Sequence, residues 1–355
     1  MFKSECSPTL MNVLSLIWRN KTVSSKSGTA FAEQEPHALN ILIAGRGAVG
    51  SLYGWLLSRS GNNVTHLVRD NVNSEDATLE IDFVDRSKSL SNHIRETYHA
   101  RCVTDLRMGK ECDLAILPIQ VQQVQQTLES LRDLPSTTVV VILTSVWEPL
   151  SNLDELVSPR TCIFGYPTVS AICADRVLHA VSKSRVVLGT TKEQHTEGLR
   201  IVCSTFDKAG CHTEIHDGID ETFRIFVAAN IGFWSGLALS DNMRSFFHYI
   251  RLLDQCRGAS EEAWRLCKLL GINVSEYDDL HDLVRLDWTT RLYLSLFYQI
   301  DIYHRQLITR RRQLWPEVLE LQENLLVDAE KLSVSAPNLH YLHDRMVERY
   351  LGHLT

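Results

Sequence analysis

The chain has 355 residues, of which 44% are hydrophobic and 22% are charged, a composition typical of a globular protein with a sizeable core. This length predicts about two domains. The net charge of -7 gives no general attraction to nucleic acid, so we expect no nucleic-acid partner. No apolar run reaches the ~20 residues of a membrane-spanning helix, so we expect no membrane association either. The nine cysteines lack C-x-x-C spacing, which favours reduced thiols in a cytoplasmic protein over a disulfide framework.

Residues 1–38 are predicted to form a flexible tail. A short apolar run at residues 10–18 is followed by Arg19, Asn20 and Lys21, not by a small-residue cleavage site, which disfavours a secretory signal. The polar segment that follows, residues 23–37, has the composition of a disordered linker. The alternative is a tail whose apolar run docks in a groove or on a neighbouring subunit.

The pattern of residues 40–70 predicts a strand, a glycine turn, a helix and a second strand. Gly45, Gly47 and Gly50 have the spacing G-x-G-x-x-G between an apolar strand and an amphipathic helix. In a dinucleotide-binding unit the first glycine permits a tight turn, the second admits the pyrophosphate, and the third lets the helix approach the sheet. The predicted cofactor-binding residues are Gly45, Arg46, Gly47, Ala48, Val49 and Gly50. The alternative is a structural glycine turn in an unrelated α/β unit.

The second predicted strand, residues 64–69, ends at Arg69. NAD-selective units usually place an acidic residue there to bind the ribose 2′-hydroxyl, whereas a cation suits the 2′-phosphate of NADP. Asp70 follows and could compete with this cation. The sequence therefore favours NADP over NAD, with Arg69 as a further cofactor-binding residue.

Strands and helices continue to alternate up to about residue 192, which predicts a mostly parallel sheet with a few added strands. Further strands are predicted at 79–84, 99–103, 113–117, 138–143, 161–166, 176–182 and 185–189, and a helix at 121–131. The run at 138–143 is nearly all β-branched, as expected of a strand that is buried on both faces.

The composition changes near Thr190, after which helices predominate. They are predicted at 196–209, 221–239, 260–270, 287–311, 316–332 and 338–350, with one strand at 211–216. The predicted fold is α/β: a Rossmann-type parallel sheet domain at 39–192, followed by a mostly α-helical domain at 193–355 for substrate binding and dimerisation. Aromatic residues in the predicted helix 287–311 suggest either core packing or a homodimer interface: Trp288, Tyr293, Phe297 and Tyr298.

Several longer stretches carry a resemblance to a known family. They are ILIAGRGAVGS, HLVRD, CDLAILPIQVQQV, VVVILTSVWEPL, RVVLGTTKE, AGCHTEIHDGIDETFRIFVAANI and LLVDAEKLSVSAPNLHYL. Together they resemble the ketopantoate reductase family, NADPH-dependent enzymes with an N-terminal Rossmann domain and a helical C-terminal domain. The resemblance spans roughly residues 40–350 and is loose in its C-terminal part.

The resemblance also implies where site residues fall, and several residue types differ from the family pattern. The family's lysine near the cofactor falls on Gln120, and the asparagine of its asparagine-glycine pair falls on Ser145. Its catalytic lysine, a proton donor to the carbonyl oxygen, falls on Arg224. These correspondences add Gln120 and Ser145 to the predicted cofactor site.

Two further positions complete the predicted catalytic set of Arg224, Asn230 and Glu317. The family's asparagine falls on Ala228, with Asn230 close by, and its active-site glutamate falls on Glu317. A substrate-binding serine falls on Arg305.

Each catalytic candidate has a simpler alternative. A buried lysine can have its pKa lowered enough to donate a proton, whereas an arginine with a pKa above about 12 serves better as a clamp for carboxylates. Arg224 could therefore be an ion-paired helix residue, and Asn230 a helix-packing amide. Glu317 follows Pro316 and could lie in a first helical turn, where glutamate favours the helix dipole.

One further group of polar residues gives weaker evidence for a site. His212, Glu214 and His216 face one side of a predicted strand. They could bind a metal, but a polar sheet face is the favoured interpretation, so no metal is predicted.

The sequence thus predicts an NADP-dependent oxidoreductase that transfers a hydride to an unidentified carbonyl or imine. The alternative is a catalytically impaired NADP-binding sensor or partner protein, since the family's lysine and asparagine are missing.

Overall fold

The computed structural model describes residues 38–69, 77–85, 87, 92–105, 111–240, 246, 249–277, 281 and 301–354. Side chains are described for these residues except 170, 183, 301–314, 353 and 354. Three features of the sequence analysis lie outside the described residues: the tail before residue 38, Asp70, and the aromatic residues of the segment 287–300. The side chain of Arg305 is outside them as well.

The described elements are strands with helices between some of them as far as β10, and helices after it. In chain order they are β1 (Asn40–Ala44), α1 (Ala48–Arg59), β2 (Asn63–Leu67), β3 (Thr78–Asp85), β4 (His93–His99), β5 (Cys102–Val103), β6 (Leu114–Leu117), α2 (Val124–Ser130), β7 (Val139–Leu143), α3 (Leu150–Val157), β8 (Cys162–Ala174), β9 (Val177–Gly189), α4 (Thr196–Lys208), β10 (His212–Ile215), α5 (Ile219–Leu239), α6 (Ile250–Leu269), α7 (Asp301–Lys331) and α8 (Pro337–Leu354).

The strands form one mixed sheet in the order β4-β3-β9-β8-β7-β6-β1-β2-β5, with β10 beside β9. The pairs β3/β4 and β8/β9 are antiparallel, and the other described pairs are parallel. Every residue of β6 and β7 is buried, as expected for strands covered on both faces. The predicted α/β class is confirmed.

The strands β8 and β9 differ from the sequence-based expectation. The three short strands predicted between residues 161 and 189 are one hairpin of two 13-residue strands. Its turn consists of Asp175 and Arg176, with φ values of 50° and 63°, the backbone of a turn that Asn-Gly usually signals. A register shift at Pro167 lets β8 continue through a residue that lacks an N–H donor. Neither feature has a simple local sequence signal.

Two other elements were also missed. The polar strand β4 pairs with β3 over seven residues, so the predicted strand 99–103 is divided between the end of β4 and the short β5. The helix α3 was not predicted.

Helix α1 lies at the centre of the sheet-containing part. All eight consecutive residues 50–57 are buried, so the helix is covered on every face. Tyr53 and Phe206 pack edge to face with their ring centroids 5.3 Å apart, and Trp55 packs on Phe83 at 5.6 Å. The indole Nε1–H of Trp55 also donates to Glu96 of β4 over 3.0 Å. The hydrophobic core is built around this helix.

The described chain divides into two compact units. One contains Ala38–Val227 and Arg305–Asn324, and the other contains Ala228–His304 and Leu325–Thr355, for the residues described. The strand β10 pairs with β9, so the sheet continues past residue 192. The functional division at residue 192 stays a prediction.

In the second unit, helix α8 begins against α6. The buried carboxylate of Glu262 accepts hydrogen bonds from the backbone N–H groups of Asn338 at 3.0 Å and Leu339 at 2.9 Å. It thereby gives partners to two N–H groups at the start of α8 that have none within the helix. Gly258 lies close to the same point, since a Cβ there would lie 2.4 Å from the Asn338 side chain.

Helix α7 replaces two helices that the sequence predicts on either side of Pro316. The structure has one helix of 31 residues with Pro316 in its interior. The neighbouring residues Trp315, Val318 and Leu321 are buried, and this packing holds the helix together across a residue that usually breaks it.

Helix α5 is long and apolar enough to cross a membrane by length and composition alone. Of its most apolar stretch 61% is buried, and core helices of soluble proteins can be equally long and apolar. The expectation that no apolar run is this long therefore needs correction, although the burial favours a core helix.

A polar pair is buried between α1 and the sheet. His66 has 0% exposure; its Nδ1 lies 3.0 Å from the Gly45 carbonyl oxygen and its Nε2 lies 2.9 Å from the Tyr98 hydroxyl. A carbonyl oxygen can only accept, so Nδ1 carries the proton and Nε2 accepts from Tyr98. Burial lowers the pKa of His66 to about 4; the bond to Gly45 opposes this shift, and the charge of Arg46 adds to it.

This lowered pKa predicts a pH-dependent stability. In the unfolded chain His66 binds a proton near the ordinary histidine pKa of 6.5, whereas in the folded chain it does so only near 4. The contribution of neutral His66 to the free energy of unfolding is therefore fully present above pH 6.5 and is lost as the pH falls from 6.5 towards 4. We expect the difference in unfolding free energy between wild type and His66→Gln to change by about 3 kcal/mol over that window. Denaturant unfolding at a series of pH values measures it, and parallel curves for the two proteins would contradict the assignment.

Candidate functional site

The parallel strands bring the predicted cofactor residues to one edge of the sheet. The strands β7, β6, β1 and β2 are neighbours in that order and run parallel, so their carboxyl ends meet at the same edge. Ser145, Gln120, Gly45 and Arg69 each lie within three residues of the end of one of these strands. Ligands of open α/β sheets bind at this edge. The structure thus collects these four residues, while their roles stay predictions.

The three glycines of the turn meet different constraints. Gly45 has a φ of +83°, which other residues rarely adopt, and its N–H donates to the Leu67 carbonyl over 2.7 Å. A Cβ at Gly50 would lie 3.3 Å from both Ile43 and Pro118, so this glycine lets α1 approach the sheet. A Cβ at Gly47 would have nothing within 4 Å. The fold therefore requires the first and third glycines, and the second leaves open space at the turn.

The N-terminus of α1 suits an anion. Gly47 is the N-cap residue, no side chain caps the helix, and its first turn contains no acidic residue. Ala48 and Val49 are only partly buried, so the start of the helix is close to solvent. The N–H groups of a first helical turn and the positive end of the helix dipole both favour a phosphate. The residues present fit the pyrophosphate of a dinucleotide.

The other cofactor candidates line the same edge. Arg69 is exposed two residues after β2, which ends at Leu67 and not at Arg69 as predicted. Gln120 is partly buried and begins a short 3-10 turn, where its side-chain oxygen accepts from Gln122 over 2.8 Å. Ser145 is partly buried and follows Thr144, whose buried hydroxyl has no hydrogen-bond partner within the described part of the chain. A ligand group at this edge could supply a hydrogen-bond partner for the Thr144 hydroxyl.

Arg224 lies in the first compact unit, beside the loop that follows β7. Its side chain is 11% exposed, its Nε is 3.3 Å from an oxygen of Asp220, and its guanidinium carbon is 5.8 Å from the Trp147 ring centroid. The distance to Asp220 fits an ion pair, although Nε makes no hydrogen bond within the described residues, so charge alone joins the two groups. Asp220 also accepts the N–H of Leu150 over 2.7 Å, at the start of α3. The alternative of an ion-paired helix residue thus has direct support.

Asn230 does not share the direction of Arg224 on α5. Six residues at 100° each rotate it by about 120° from Arg224 around the helix axis. The residue on the same face, four positions on, is Ala228, which is fully buried and carries no amide. Asn230 is partly buried and belongs to the second unit. Its predicted catalytic role stays a prediction, and the helix geometry does not favour it.

Glu317 lies in the interior of α7, so the alternative of a first helical turn is wrong. It belongs to a group of carboxylates in the first unit. The pKa of Glu320 is raised, first by burial and then by the negative charges of Glu148, Glu323 and Glu317. Glu148 follows Trp147 directly, so this group extends from α7 to the loop after β7.

Two side chains near Arg224 were not predicted as site residues. Trp147 is 1% exposed and packs under the guanidinium, while Asp220 pairs with it. The position of Trp147, four residues after the end of a buried parallel strand, was a usable signal. The pairing of Asp220 with Leu150 gave no usable signal, because the two residues are 70 apart in sequence.

The possible metal ligands on β10 are otherwise engaged. Glu214 accepts from Arg185 over 3.0 Å and lies 3.5 Å from His216, while His212 is exposed. Within the described ranges, no group of three His, Cys, Asp or Glu side chains could hold a metal ion.

The sequence of residues 41–193 matches the protein-family model described as "Ketopantoate reductase PanE/ApbA". This match includes the glycine turn, Arg69, Gln120 and Ser145, and it supports an oxidoreductase that uses a nicotinamide cofactor. No curated protein sequence matches the chain.

Solved structures share the fold at low sequence identity. A 2-dehydropantoate 2-reductase from Geobacter metallireducens is 17% identical with a TM-score of 0.69, covering 88% of this chain and 100% of that one. A dimeric ketopantoate reductase from Staphylococcus aureus is 15% identical with a TM-score of 0.66, covering 88% and 99%. A D-mandelate dehydrogenase solved with NADH and anilino(oxo)acetate is 16% identical with a TM-score of 0.69, covering 88% and 99%. At these identities the likeness establishes the fold alone.

The open space at Gly47 gives a test of ligand binding that is separate from folding. Its φ of -69° and ψ of 177° are open to alanine, so Gly47→Ala should change the unfolding free energy by only about 0.5 kcal/mol. The added Cβ would enter the space predicted for the pyrophosphate, and we expect NADPH to bind at least about tenfold more weakly. Fluorescence titration and thermal unfolding measure the two effects.

Gly61→Ala is the control, since Gly61 has a φ of +89° and lies away from the turn. It should cost about 1 kcal/mol of stability and leave NADPH binding unchanged. Unchanged affinity in Gly47→Ala would contradict the assignment of the turn.

Proposed function

We propose that the chain is an NADP-dependent oxidoreductase that transfers a hydride to a carbonyl or imine substrate, because residues 41–193 match the ketopantoate reductase PanE/ApbA family model. The observation that carries the proposal is the open glycine turn at the carboxyl edge of the sheet, where Gly47 leaves space that the fold itself does not need. The matched segment covers this edge from β1 to β9.

The cofactor residues have separate roles in this proposal. The N–H groups at the start of α1 hold the pyrophosphate, and the helix dipole adds to the attraction. Arg69 is exposed beside the turn and pairs with the 2′-phosphate of NADP. Gln120 and Ser145 bind the ribose and nicotinamide half, and the bound cofactor supplies the hydride.

On the substrate side, Arg224 binds and polarises the substrate oxygen. Its guanidinium is held over Trp147 and beside Asp220, so its position is fixed before the substrate arrives. With a pKa above about 12 it is a poor proton donor, which distinguishes it from a lysine. Glu317 orients the substrate from α7, and Asn230 is a weaker candidate for orienting the substrate.

The carboxylates around Glu320 favour a substrate other than ketopantoate. Glu148, Glu317 and Glu323 are close enough to raise the pKa of Glu320, so they also oppose the approach of a negatively charged keto acid. A neutral or cationic carbonyl or imine meets no such penalty. The substrate is therefore proposed to lack a free carboxylate near this group.

The alternative of a cofactor-binding sensor has one specific observation in its favour. Arg224 is already paired with Asp220, as expected of a residue with a structural role. A protein that binds NADPH and oxidises it with no carbonyl or imine would fit that alternative.

We also propose a cytoplasmic protein that forms a homodimer through its helical part. All eight described cysteines are free thiols, in keeping with a reducing compartment. The dimer is proposed by analogy with the dimeric ketopantoate reductase from Staphylococcus aureus, which has a similar fold.

Cofactor choice is tested by titrating wild type with NADPH and NADH. We expect NADPH to bind at least about tenfold more tightly, since a charge-assisted bond to the 2′-phosphate is stronger than a neutral one. Arg69→Ala should abolish that preference by weakening NADPH alone. Arg200→Ala is the matched control, because Arg200 is an exposed arginine that pairs with Glu197 on α4. Tighter binding of NADH by wild type would rule out the choice of NADP.

Substrate choice is tested with ketopantoate. Loss of a well-placed general acid costs about 10²–10⁴-fold in rate, so kcat/KM should lie well below the ordinary range of about 10⁴ M⁻¹s⁻¹. Arg224→Lys should raise the rate if residue 224 reaches the reacting carbonyl. Wild-type activity on ketopantoate in the ordinary range would refute the assignment of the second half of the site.

A further inference from the structure

Gly45, the first residue of the glycine turn, is held through both of its backbone polar groups by two consecutive residues of β2. The N–H of Gly45 donates to the carbonyl of Leu67 over 2.7 Å, and the carbonyl of Gly45 accepts the Nδ1 proton of His66 over 3.0 Å. His66 is fully buried, so its side chain approaches the turn from the core and not from solvent.

The other end of His66 is fixed as well. Its Nε2 accepts the hydroxyl proton of Tyr98 on β4 over 2.9 Å. The chain of bonds runs from Tyr98 through His66 to Gly45. Because each ring nitrogen has one partner and the roles are set by the Gly45 carbonyl, His66 is held in a single tautomer.

Helix α1 makes room for this chain at Gly54. A Cβ at Gly54 would lie 2.5 Å from His66 Nε2 and 2.8 Å from the Tyr98 hydroxyl. Glycine in a helix interior is unfavourable relative to alanine, and Gly54 belongs to neither the turn nor a cap. The side chain missing at Gly54 is therefore explained by the His66–Tyr98 pair.

We propose that His66 is a positioning residue for the dinucleotide site, which holds the Gly45 carbonyl inward and thereby sets the direction of the next backbone N–H. The peptide between Gly45 and Arg46 is planar and trans, so its C=O and N–H groups point in opposite directions. With the carbonyl directed at the buried histidine, the Arg46 N–H is directed away from the core, towards the side where the pyrophosphate binds. This inference rests on the proposed function for the identity of that ligand.

Three variants separate positioning from simple stabilisation. His66→Asn keeps an N–H donor near the place of Nδ1 and loses the bond to Tyr98. His66→Leu has a similar size and no donor. Tyr98→Phe leaves the bond to Gly45 and removes only the partner of Nε2. NADPH affinity is measured by fluorescence titration, stability by denaturant unfolding, and the exchange rate of the Gly45 amide by NMR.

We expect His66→Leu to bind NADPH about tenfold more weakly, the effect of one lost hydrogen bond, and to speed exchange of the Gly45 amide. His66→Asn should stay within about threefold of wild-type affinity despite its lost stability. Tyr98→Phe should also lose stability and keep its affinity. Affinity that follows stability across all three variants would overturn the proposal. If His66→Leu does not fold, His66→Asn decides alone, and a tenfold loss of affinity in it counts against the proposal.

The tautomer gives a readout that needs no cofactor. The ring nitrogens of His66 in wild type should show a proton on Nδ1 and none on Nε2 near neutral pH, and the opposite tautomer would overturn the proposal. If wild type binds neither NADPH nor NADH, the proposed function fails. The tautomer and the amide exchange then still decide whether His66 holds the turn.

Discussion

Helix α1 is buried along eight consecutive residues, and much of the sheet-containing unit depends on this constraint. Within three residues the chain passes from the exposed Gly47 to the buried Gly50, so the helix begins at the surface and continues through the core. Its positive end is therefore presented at the carboxyl edge of β1, while its other faces are covered by β2, β8 and β9. A fully enclosed helix cannot shift without disturbing the core, which gives the turn a rigid support.

The two halves of the candidate site differ in how far they keep the family pattern. The cofactor half retains its three glycines and has a cation at Arg69, while Gln120 and Ser145 stand where the resemblance implies a lysine and an asparagine. The substrate half has Arg224 where the resemblance implies a lysine, with Asp220 and Trp147 holding it in place. Carboxylates on α7 and after β7 lie close enough to Glu320 to raise its pKa. We propose that a changed substrate explains this combination better than loss of a site, because the glycine turn and the open space at Gly47 remain.

Local patterns predicted the parallel core and the glycine turn, since β1, β6 and β7 are continuous apolar runs and G-x-G-x-x-G is a local motif. Features set by distant contacts were not predictable. The hairpin of β8 and β9 turns at Asp175 and Arg176, and α7 continues through Pro316 because its neighbours are buried. The partnership of His66 with Gly54 and Tyr98 depends on three elements meeting in the core, although an unexplained glycine in the helix was a signal. The catalytic residues rest on a resemblance that is loose in this part of the chain.

A crystal structure of the full chain grown with NADP⁺ tests the central claim most directly. The account predicts the pyrophosphate within hydrogen-bond distance of the backbone N–H groups at the start of α1, over Gly47. It also predicts the 2′-phosphate beside Arg69 and the nicotinamide towards Ser145, with the Gly45 carbonyl still bonded to His66. A dinucleotide bound elsewhere on the chain, or a turn left empty at saturating NADP⁺, would contradict it.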